Sequence, residues 1–288
     1  MIALARKFES DPFERDIWLR SFSEEIPDSR PETWDKKLAK GVTFSATPED
    51  PEAIRKKLGI EDHHKVLVIP VLDGSWSRIH KNSMGADFSR AALENHPNER
   101  KVLADARDLP FKTGEFDHVV SYELTPLSTG LSDPASILKA LKELLRVGKQ
   151  VHIIQRMHGD RLVWTEPIIT RYLHELGIEH KIVDLSEHTT PQYFFYNPEK
   201  DRVVSLTISA RDAHKLLDKM EQDIRTMERA VEHFKRGEIQ KGTEEIVRNG
   251  SVALQRAFFE QYFLRRIFRS TARQMKTEFR SRFLGRHP

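Results

Sequence analysis

The chain has 288 residues, of which 38% are hydrophobic and 32% charged, and 47 basic against 44 acidic side chains give a formal charge of +3. This composition is polar, but it supplies enough apolar residues for one substantial core with appendages. The absence of cysteine excludes disulfides, thiolate metal sites and cysteine nucleophiles.

The sequence lacks the signals of a membrane segment and of a metal site. No run approaches the roughly 20 apolar residues that span a bilayer, and the first residues turn acidic before a signal-peptide core forms. We therefore expect a cytoplasmic protein. The 13 histidines are scattered, without a His-Glu-x-x-His motif or an i, i+4 pair, so no metal site is expected.

Residues 1–60 alternate short helical patterns with proline turns. Pro12, Pro31 and Pro51 each follow a charged residue and precede a helical pattern, and proline is favoured at the first helical position. This predicts a helical lead-in.

Residues 61–209 carry short apolar runs separated by helical patterns, which predicts an α/β fold with a doubly wound, mostly parallel sheet of seven strands. The runs are KVLVIPV, MGAD, KVLA, FDHVVSY, QVHIIQ, HKIVDL and RVVSLTI. Helices are expected at 90–95, 135–146 and 162–176, the last ending at Gly177. Because no helical pattern precedes the final run, strand 202–208 is expected to be antiparallel at or near one edge.

Residues 210–288 read as a helical, basic extension. Apolar residues at alternating four- and three-residue spacing over 213–234 predict a coiled-coil seam, and Gly237 and Gly242 bracket an expected break. Helical periodicity resumes over 252–283, so a helical hairpin or arm is expected. The seam should pack against the chain's own continuation or against a second copy in a homo-oligomer.

The last forty residues are strongly basic. Nine lysines and arginines against Glu260 and Glu278 leave a formal charge of +7 over 249–288, interleaved with phenylalanines. Such an arm suits a nucleic acid, an acidic protein or an anionic membrane surface. The alternative is a helix whose aromatic face packs on the body while its arginines face solvent.

The strongest motif is LADARDLPFKTGEFDHVVSYELTPLS, from residue 103 to 128. It resembles the D-A-x-x-L-P-F-x-x-x-x-F-D-x-V-x-S segment of class I S-adenosylmethionine-dependent methyltransferases. The matching positions are Asp105, Ala106, Leu109, Pro110, Phe111, Phe116, Asp117, Val119 and Ser121. The resemblance covers about 65–208 and implies a Rossmann-like domain that binds S-adenosylmethionine. It also implies that Asp105 contacts adenine and that Ala106 turns its backbone N–H towards the ring.

The run MGADFSRAALEN resembles the second strand and helix of the same family. The resemblance places Asp87, followed by Phe88, where a carboxylate accepts hydrogen bonds from the ribose hydroxyls. The alternative is that Asp87 caps the helix beginning near Ser89.

The glycine loop departs from the family's acidic-x-G-x-G-x-G pattern. VLVIPVLDGSWSR puts Val68, Pro70, Leu72 and Gly74 at the corresponding positions, so only Gly74 remains a glycine. Proline has no backbone N–H, and leucine adds bulk where the ligand normally approaches bare backbone. Pro70 and Gly74 are nevertheless the cofactor-binding candidates in this loop.

Together these features predict methyl transfer from S-adenosylmethionine to an oxygen or nitrogen of an unidentified acceptor. The alternative is a catalytically inactive methyltransferase-like scaffold whose helical arm binds a protein or a nucleic acid. A dehydrogenase is disfavoured because G-x-G-x-x-G is missing, and amino-group methylation of nucleic acid because no Asn-Pro-Pro-Tyr follows the fourth strand. Glu123 is either a base acting on the substrate or an exposed loop residue.

Overall fold

The computed structural model describes residues 2–10, 46–48, 51–69, 80–94, 100–122, 134–158, 161–162, 168–191, 201–211 and 213–259. Several predicted features lie outside these residues. They are Pro70, Leu72 and Gly74 of the glycine loop, Glu123, the helices predicted after Pro12 and Pro31, and the basic stretch 260–288. None of the helices in the described ranges is both long and apolar enough to cross a membrane.

Ten strands and eight α-helices make up the described chain. The strands are β1 (Ala46–Pro48), β2 (Val66–Ile69), β3 (Ser83–Asp87), β4 (Lys101–Leu103), β5 (Phe116–Tyr122), β6 (Gly148–His158), β7 (Arg161–Leu162), β8 (His180–Asp184), β9 (Thr189–Pro191) and β10 (Asp201–Ser209). The helices are α1 (Ile2–Ser10), α2 (Pro51–Lys57), α3 (Arg90–Glu94), α4 (Pro134–Val147), α5 (Ile168–Glu175), α6 (Leu217–Lys235), α7 (Ile239–Asn249) and α8 (Val252–Phe258).

Seven strands form a continuous sheet in the order β4-β3-β2-β5-β6-β10-β8, and the short β7 pairs with β6 outside this path. Strands β2 to β6 pair in parallel, whereas β10 is antiparallel to both β6 and β8. The predicted Rossmann-like, mostly parallel seven-stranded sheet is therefore confirmed, with the antiparallel strand next to the edge. Within the segment expected to be a helical lead-in, β1 is a strand that pairs with β9.

The sheet is covered on both faces, which explains why its strands read as continuous apolar runs. All four residues of β2 are buried, and its alternate side chains enter two different cores. Leu67 belongs to the large core under α4, α5 and α6, whereas Val66 and Val68 belong to a smaller core with Ile54 and Leu58 of the α2 region. Val120 of β5 and Ile154 of β6 also belong to the smaller core.

The helix predicted over 162–176 begins later than expected. Leu162 belongs to β7 and pairs with Met157, because β6 runs on to His158 and the chain then reverses against it. Helix α5 starts at Ile168 and ends at Glu175, one residue before the predicted end. Gly177 has φ +71° and donates its N–H to the carbonyl of His174, which closes the helix.

Helix α6 packs within the chain, against α4 and α7. The break after it is shorter than predicted, since Gly237 adopts φ +75° whereas Gly242 lies inside α7. A Cβ at Gly242 would stand 2.9 Å from the carbonyl oxygen of Ala230 and would collide with the ring of Phe234. Gly242 is thus required by the close approach of two helices and not by a turn.

A buried carboxylate ties the C-terminal helices to the rest of the fold. Asp223 of α6 accepts hydrogen bonds from the hydroxyl of Tyr172 at 2.7 Å and from the backbone N–H and hydroxyl of Ser251 at 2.7 and 2.6 Å. Ser251 in turn caps α8 by accepting from the N–H of Leu254. The described part of the extension therefore belongs to the same packed body as the sheet.

Candidate functional site

The two predicted carboxylates lie at the carboxyl ends of neighbouring parallel strands. Asp87 is the last residue of β3 and is in register with Leu103, the last residue of β4. The N–H of Ala104 donates to the backbone carbonyl of Asp87 at 2.9 Å, and Asp105 follows directly. We name this end of the sheet the carboxyl edge. It is the edge at which ligands bind in open α/β sheets.

Asp87 is almost completely buried, with 2% of its surface exposed. Its Oδ1 accepts the N–H of Ser89 at 2.9 Å, and the hydroxyl of Ser89 accepts the N–H of Ala92 in α3 at 3.2 Å. The direct cap of α3 is therefore Ser89, and Asp87 holds the capping residue in place. Phe88, between them, is partly exposed.

The carboxylate of Asp105 is already paired. Arg107 donates its backbone N–H at 2.8 Å and its Nε–H at 3.0 Å to Oδ1, and its Nη2–H at 2.6 Å to Oδ2. Partial burial raises the pKa of Asp105, but the hydrogen bonds from Arg107 outweigh it and the net pKa is lowered. Asp105 is thus an ionised, 43% exposed group with a resident cation.

The apolar half of the motif anchors the loop that carries Asp105. The buried N–H of Leu109 donates to Glu143 of α4 at 2.9 Å, while Arg146 donates to the carbonyls of Phe111 and Leu109 at 2.6 and 2.8 Å. Glu143 and Arg146 also form an ion pair at 2.6 Å. Ala106 packs against the large core beside this anchor.

An open cleft of about 410 Å³ lies next to Asp105, between the loop and helices α4 and α6. Its three cations are all paired, because Lys142 binds Glu221 at 2.6 Å, Lys139 binds Glu228 and Arg107 binds Asp105. With Asp108 and Glu143, the lining has four carboxylates against three cations, so the cleft carries a formal charge of −1.

Residues 71–153 match a family model described as a methyltransferase domain. The match covers 83 of the 288 residues and agrees with the resemblance to methyltransferases that the motif around Asp105 indicates. The matched segment contains Asp87, Asp105 and Ala106, and it begins inside the glycine-poor loop. S-adenosylmethionine, expected from the motif, is the cofactor of this family.

Solved structures resemble this chain at low identity. An S-adenosylmethionine-dependent methyltransferase from Aquifex aeolicus is 13% identical with a TM-score of 0.40, covering 62% of this chain and 98% of that one. Geranyl diphosphate C-methyltransferase from Streptomyces coelicolor A3(2) is 14% identical with a TM-score of 0.37, covering 56% and 78%. Likenesses this weak indicate neither substrate nor activity. Among curated proteins, no match to the chain is found.

A line of buried and half-buried polar side chains crosses the seven-stranded sheet. His118 of β5 bonds through Nε2 to Nδ1 of His64 at 3.1 Å and through Nδ1 to Nε2 of His152 in β6 at 2.9 Å. Nδ1 of His152 lies 3.1 Å from the hydroxyl oxygen of Thr207 in β10. That hydroxyl lies 3.2 Å from the hydroxyl oxygen of Ser205 in the same strand. We name these five residues the histidine line.

One arrangement of protons gives every contact in the histidine line a donor and an acceptor, with two donors sharing the single lone pair of Nδ1 of His64. The backbone N–H of Glu61 donates to Nδ1 of His64 at 3.0 Å, so that nitrogen is an acceptor. His118 must then donate from Nε2, and in its neutral form its Nδ1 accepts from Nε2 of His152. His152 in turn accepts from the hydroxyl of Thr207. The donors therefore all point from β10 towards His64.

Burial keeps the two central imidazoles neutral. It lowers the pKa of His118 to about 4, helped by His64 and His80 and opposed by Asp117. It lowers the pKa of His152 to about 3, helped by His118 and Lys181. No local pattern in the sequence predicts this line, because its histidines are 54 and 34 residues apart and meet only when β5 and β6 pair.

Proposed function

We propose that this chain transfers the methyl group of S-adenosylmethionine to an oxygen or nitrogen of an acceptor, with the cofactor bound at the carboxyl edge. The observation that carries the proposal is the buried carboxylate of Asp87 at the end of β3, beside Asp105 and inside the segment that matches the family. When bound, the cofactor would supply an electrophilic methyl group on its sulfonium sulfur.

Asp87 suits the ribose of the cofactor. A carboxylate can accept about four hydrogen bonds, and the N–H of Ser89 is one donor to Asp87. Two adjacent ribose hydroxyls are donors that a strand-end carboxylate can accept together. Asp87 would thus hold the ribose while also keeping the start of α3 in place, so its binding and capping roles are compatible.

Asp105 suits the adenine amine, but it has a competitor. Arg107 supplies three N–H donors to its carboxylate, so the amine must share the carboxylate or displace part of that pair. The pair is 43% exposed on both sides, and exposed ion pairs contribute only about 0–1 kcal/mol. Displacing Arg107 would therefore cost little.

The rate of methyl transfer can come largely from alignment of the acceptor and exclusion of water, so a dedicated base is not required. Pro70 and Leu72 in the glycine loop favour the second candidate, a scaffold that has lost the cofactor. Glu123, the candidate base on the acceptor side, lies outside the described residues.

The test is calorimetric titration of the purified chain with S-adenosylmethionine and S-adenosylhomocysteine. The wild-type chain should bind both, and Asp87→Asn should weaken binding by roughly 10- to 150-fold, the value of hydrogen bonds to a charged group. Asparagine keeps an oxygen that can accept from Ser89, so the loss would report on the ligand.

Asp184→Asn is the matched control. Asp184 also ends a strand, and its Oδ1 accepts the N–H of Ser186 at 2.9 Å, just as Asp87 accepts that of Ser89. It lies on β8 at the far side of the sheet, so its substitution should leave binding unchanged. Equal affinities for wild type and Asp87→Asn would remove Asp87 from the site. A wild-type chain that binds neither ligand would overturn methyl transfer in favour of the scaffold.

A further inference from the structure

Three potential metal ligands meet on the loop between α2 and β2. The ligand atoms of Glu61, His63 and His64 lie within 4.8 Å of one another, and no other group of three or more in the described part of the chain meets this distance. We name these three residues the loop cluster. They precede β2, so they lie at the amino end of the parallel strands, which we name the amino edge.

The spacing suits a tetrahedral cation. Nδ1 of His63 and Oε2 of Glu61 are 3.4 Å apart. Two ligands at the usual zinc distance of about 2.1 Å are separated by about 3.4 Å in a tetrahedron. Two imidazoles and one carboxylate with an open fourth position also form a ligand set that zinc accepts in proteins.

The loop cluster stands on a well-anchored loop. Arg55, which is buried, donates to the carbonyl of Ile60 at 3.0 Å and pairs with Asp62 at 2.7 Å. The backbone carbonyl of His64 is in contact with Nε2 of His80 at 2.7 Å. A ligand set held in place before the cation arrives loses little conformational entropy on binding.

The histidine line orients one of the ligands. Nδ1 of His64 lies 3.0 Å from the backbone nitrogen of Glu61 and 3.1 Å from Nε2 of His118, and these contacts orient the ring. Binding of the ion through Nε2 would require the ring proton on Nδ1, which would then donate to His118 and release the N–H of Glu61. Metal-binding histidines are commonly oriented by hydrogen bonds to groups outside the ligand set, and losing such a group costs affinity. Glu61 and His63, by contrast, have side chains that are 69% and 74% exposed, so the cluster is open to solvent.

We infer that Glu61, His63 and His64 bind one divalent transition metal ion of the zinc class, at the edge of the sheet opposite the carboxylates of Asp87 and Asp105. The site would stabilise the loop before β2 and would be separate from methyl transfer.

The test is calorimetric titration of zinc chloride into the full chain, freed of any affinity tag and stripped with a chelator. Wild type should bind one zinc ion per chain, and His63→Ala and Glu61→Gln should each weaken binding by at least about tenfold. Both side chains are largely exposed, so neither change should unfold the protein, which circular dichroism would verify.

His174→Ala is the matched control. His174 is also exposed and also lies beside a carboxylate, with Nδ1 4.0 Å from Glu175, but no third ligand completes the pair. It should bind zinc as wild type does. The inference is overturned if wild type binds no zinc or if His63→Ala binds zinc as tightly as wild type. It is also overturned if His174→Ala loses as much zinc affinity as His63→Ala.

Nitrogen-15 spectra of the histidine rings give a second readout. One equivalent of zinc should shift the ring nitrogens of His63 and His64, and through the hydrogen bond those of His118. His174 and His214 should be unaffected. Shifts confined to other histidines would place the ion elsewhere. Because neither measurement uses S-adenosylmethionine, a failure here is distinguishable from a failure of the proposed methyl transfer.

Discussion

The carboxyl edge and the amino edge of the sheet carry different chemistry, and the sequence predicted the first more completely than the second. The carboxyl edge is built from acidic residues, Asp87 at the end of β3 and Asp105 after β4, and its strongest element is one continuous motif from Asp105 to Ser121. The amino edge is built from histidines on a loop and on two strands, which no short motif connects.

The difference follows from how parallel strands assemble. Every parallel strand contributes its end to the same edge, so ligand-binding residues at the carboxyl edge sit at a fixed place in each strand-loop-helix unit. A line that crosses the strands uses side chains from within them. Whether such side chains meet depends on strand order and register, which local sequence does not encode.

The largest expected effect concerns the histidine line and stability against pH. The pKa of His152 is lowered to about 3 in the folded chain, while an unfolded histidine titrates near 6.5. Below about pH 6.5 the unfolded chain binds a proton that the folded chain does not. The free energy of unfolding therefore decreases as the pH is lowered. One such group should cost about 2 kcal/mol between pH 7.5 and 5.0.

Urea unfolding of wild type and His152→Gln at these two pH values checks this. Glutamine retains a donor and an acceptor for His118 and Thr207 but cannot be protonated. The variant should be less stable than wild type at pH 7.5, but its loss on acidification should be smaller by about 2 kcal/mol. His174→Gln, at an exposed site, should follow wild type. Parallel losses in wild type and His152→Gln would contradict the assigned burial of a neutral imidazole.

A smaller effect is expected at Asp105, the second carboxylate of the carboxyl edge. Asp105→Asn should weaken S-adenosylmethionine binding by about fivefold or less, because Arg107 already takes much of the carboxylate's capacity and asparagine keeps one acceptor. Arg107→Gln should strengthen binding by a factor of the same order. Calorimetry that finds Asp105→Asn more damaging than Asp87→Asn would reverse the ranking of the two residues.

The smallest effect tests whether the edges are independent. Asp87→Asn should leave zinc affinity unchanged, and His63→Ala should leave S-adenosylmethionine affinity unchanged, since the two groups lie at opposite ends of the strands and share no described contact. Titrating each variant with the other edge's ligand measures the coupling. A change beyond about twofold in either direction would mean that the sheet transmits binding between its edges.

Much of the fold could be predicted from periodicity alone. The runs FDHVVSY and MGAD coincide with β5 and with most of β3, and the missing crossover before β10 marked it as antiparallel. Both features are local, because a doubly covered strand needs an unbroken apolar run and a parallel connection needs a helix. The predicted helix start at Leu162 was wrong because β6 and β7 pair there, a contact between strands that the helical pattern did not reveal.

The sequence by itself indicated the resemblance to methyltransferases, the sheet and the strand ends on which Asp87 and Asp105 lie, because these depend on the order of residues within each strand and loop. Tertiary structure alone decided what surrounds them. Asp223 links Tyr172 to Ser251 across 51 and 28 residues, and His118 joins His64 to His152, because packing brings distant donors and acceptors into one low-dielectric interior. There each buried polar group must find a partner, whatever its distance along the chain.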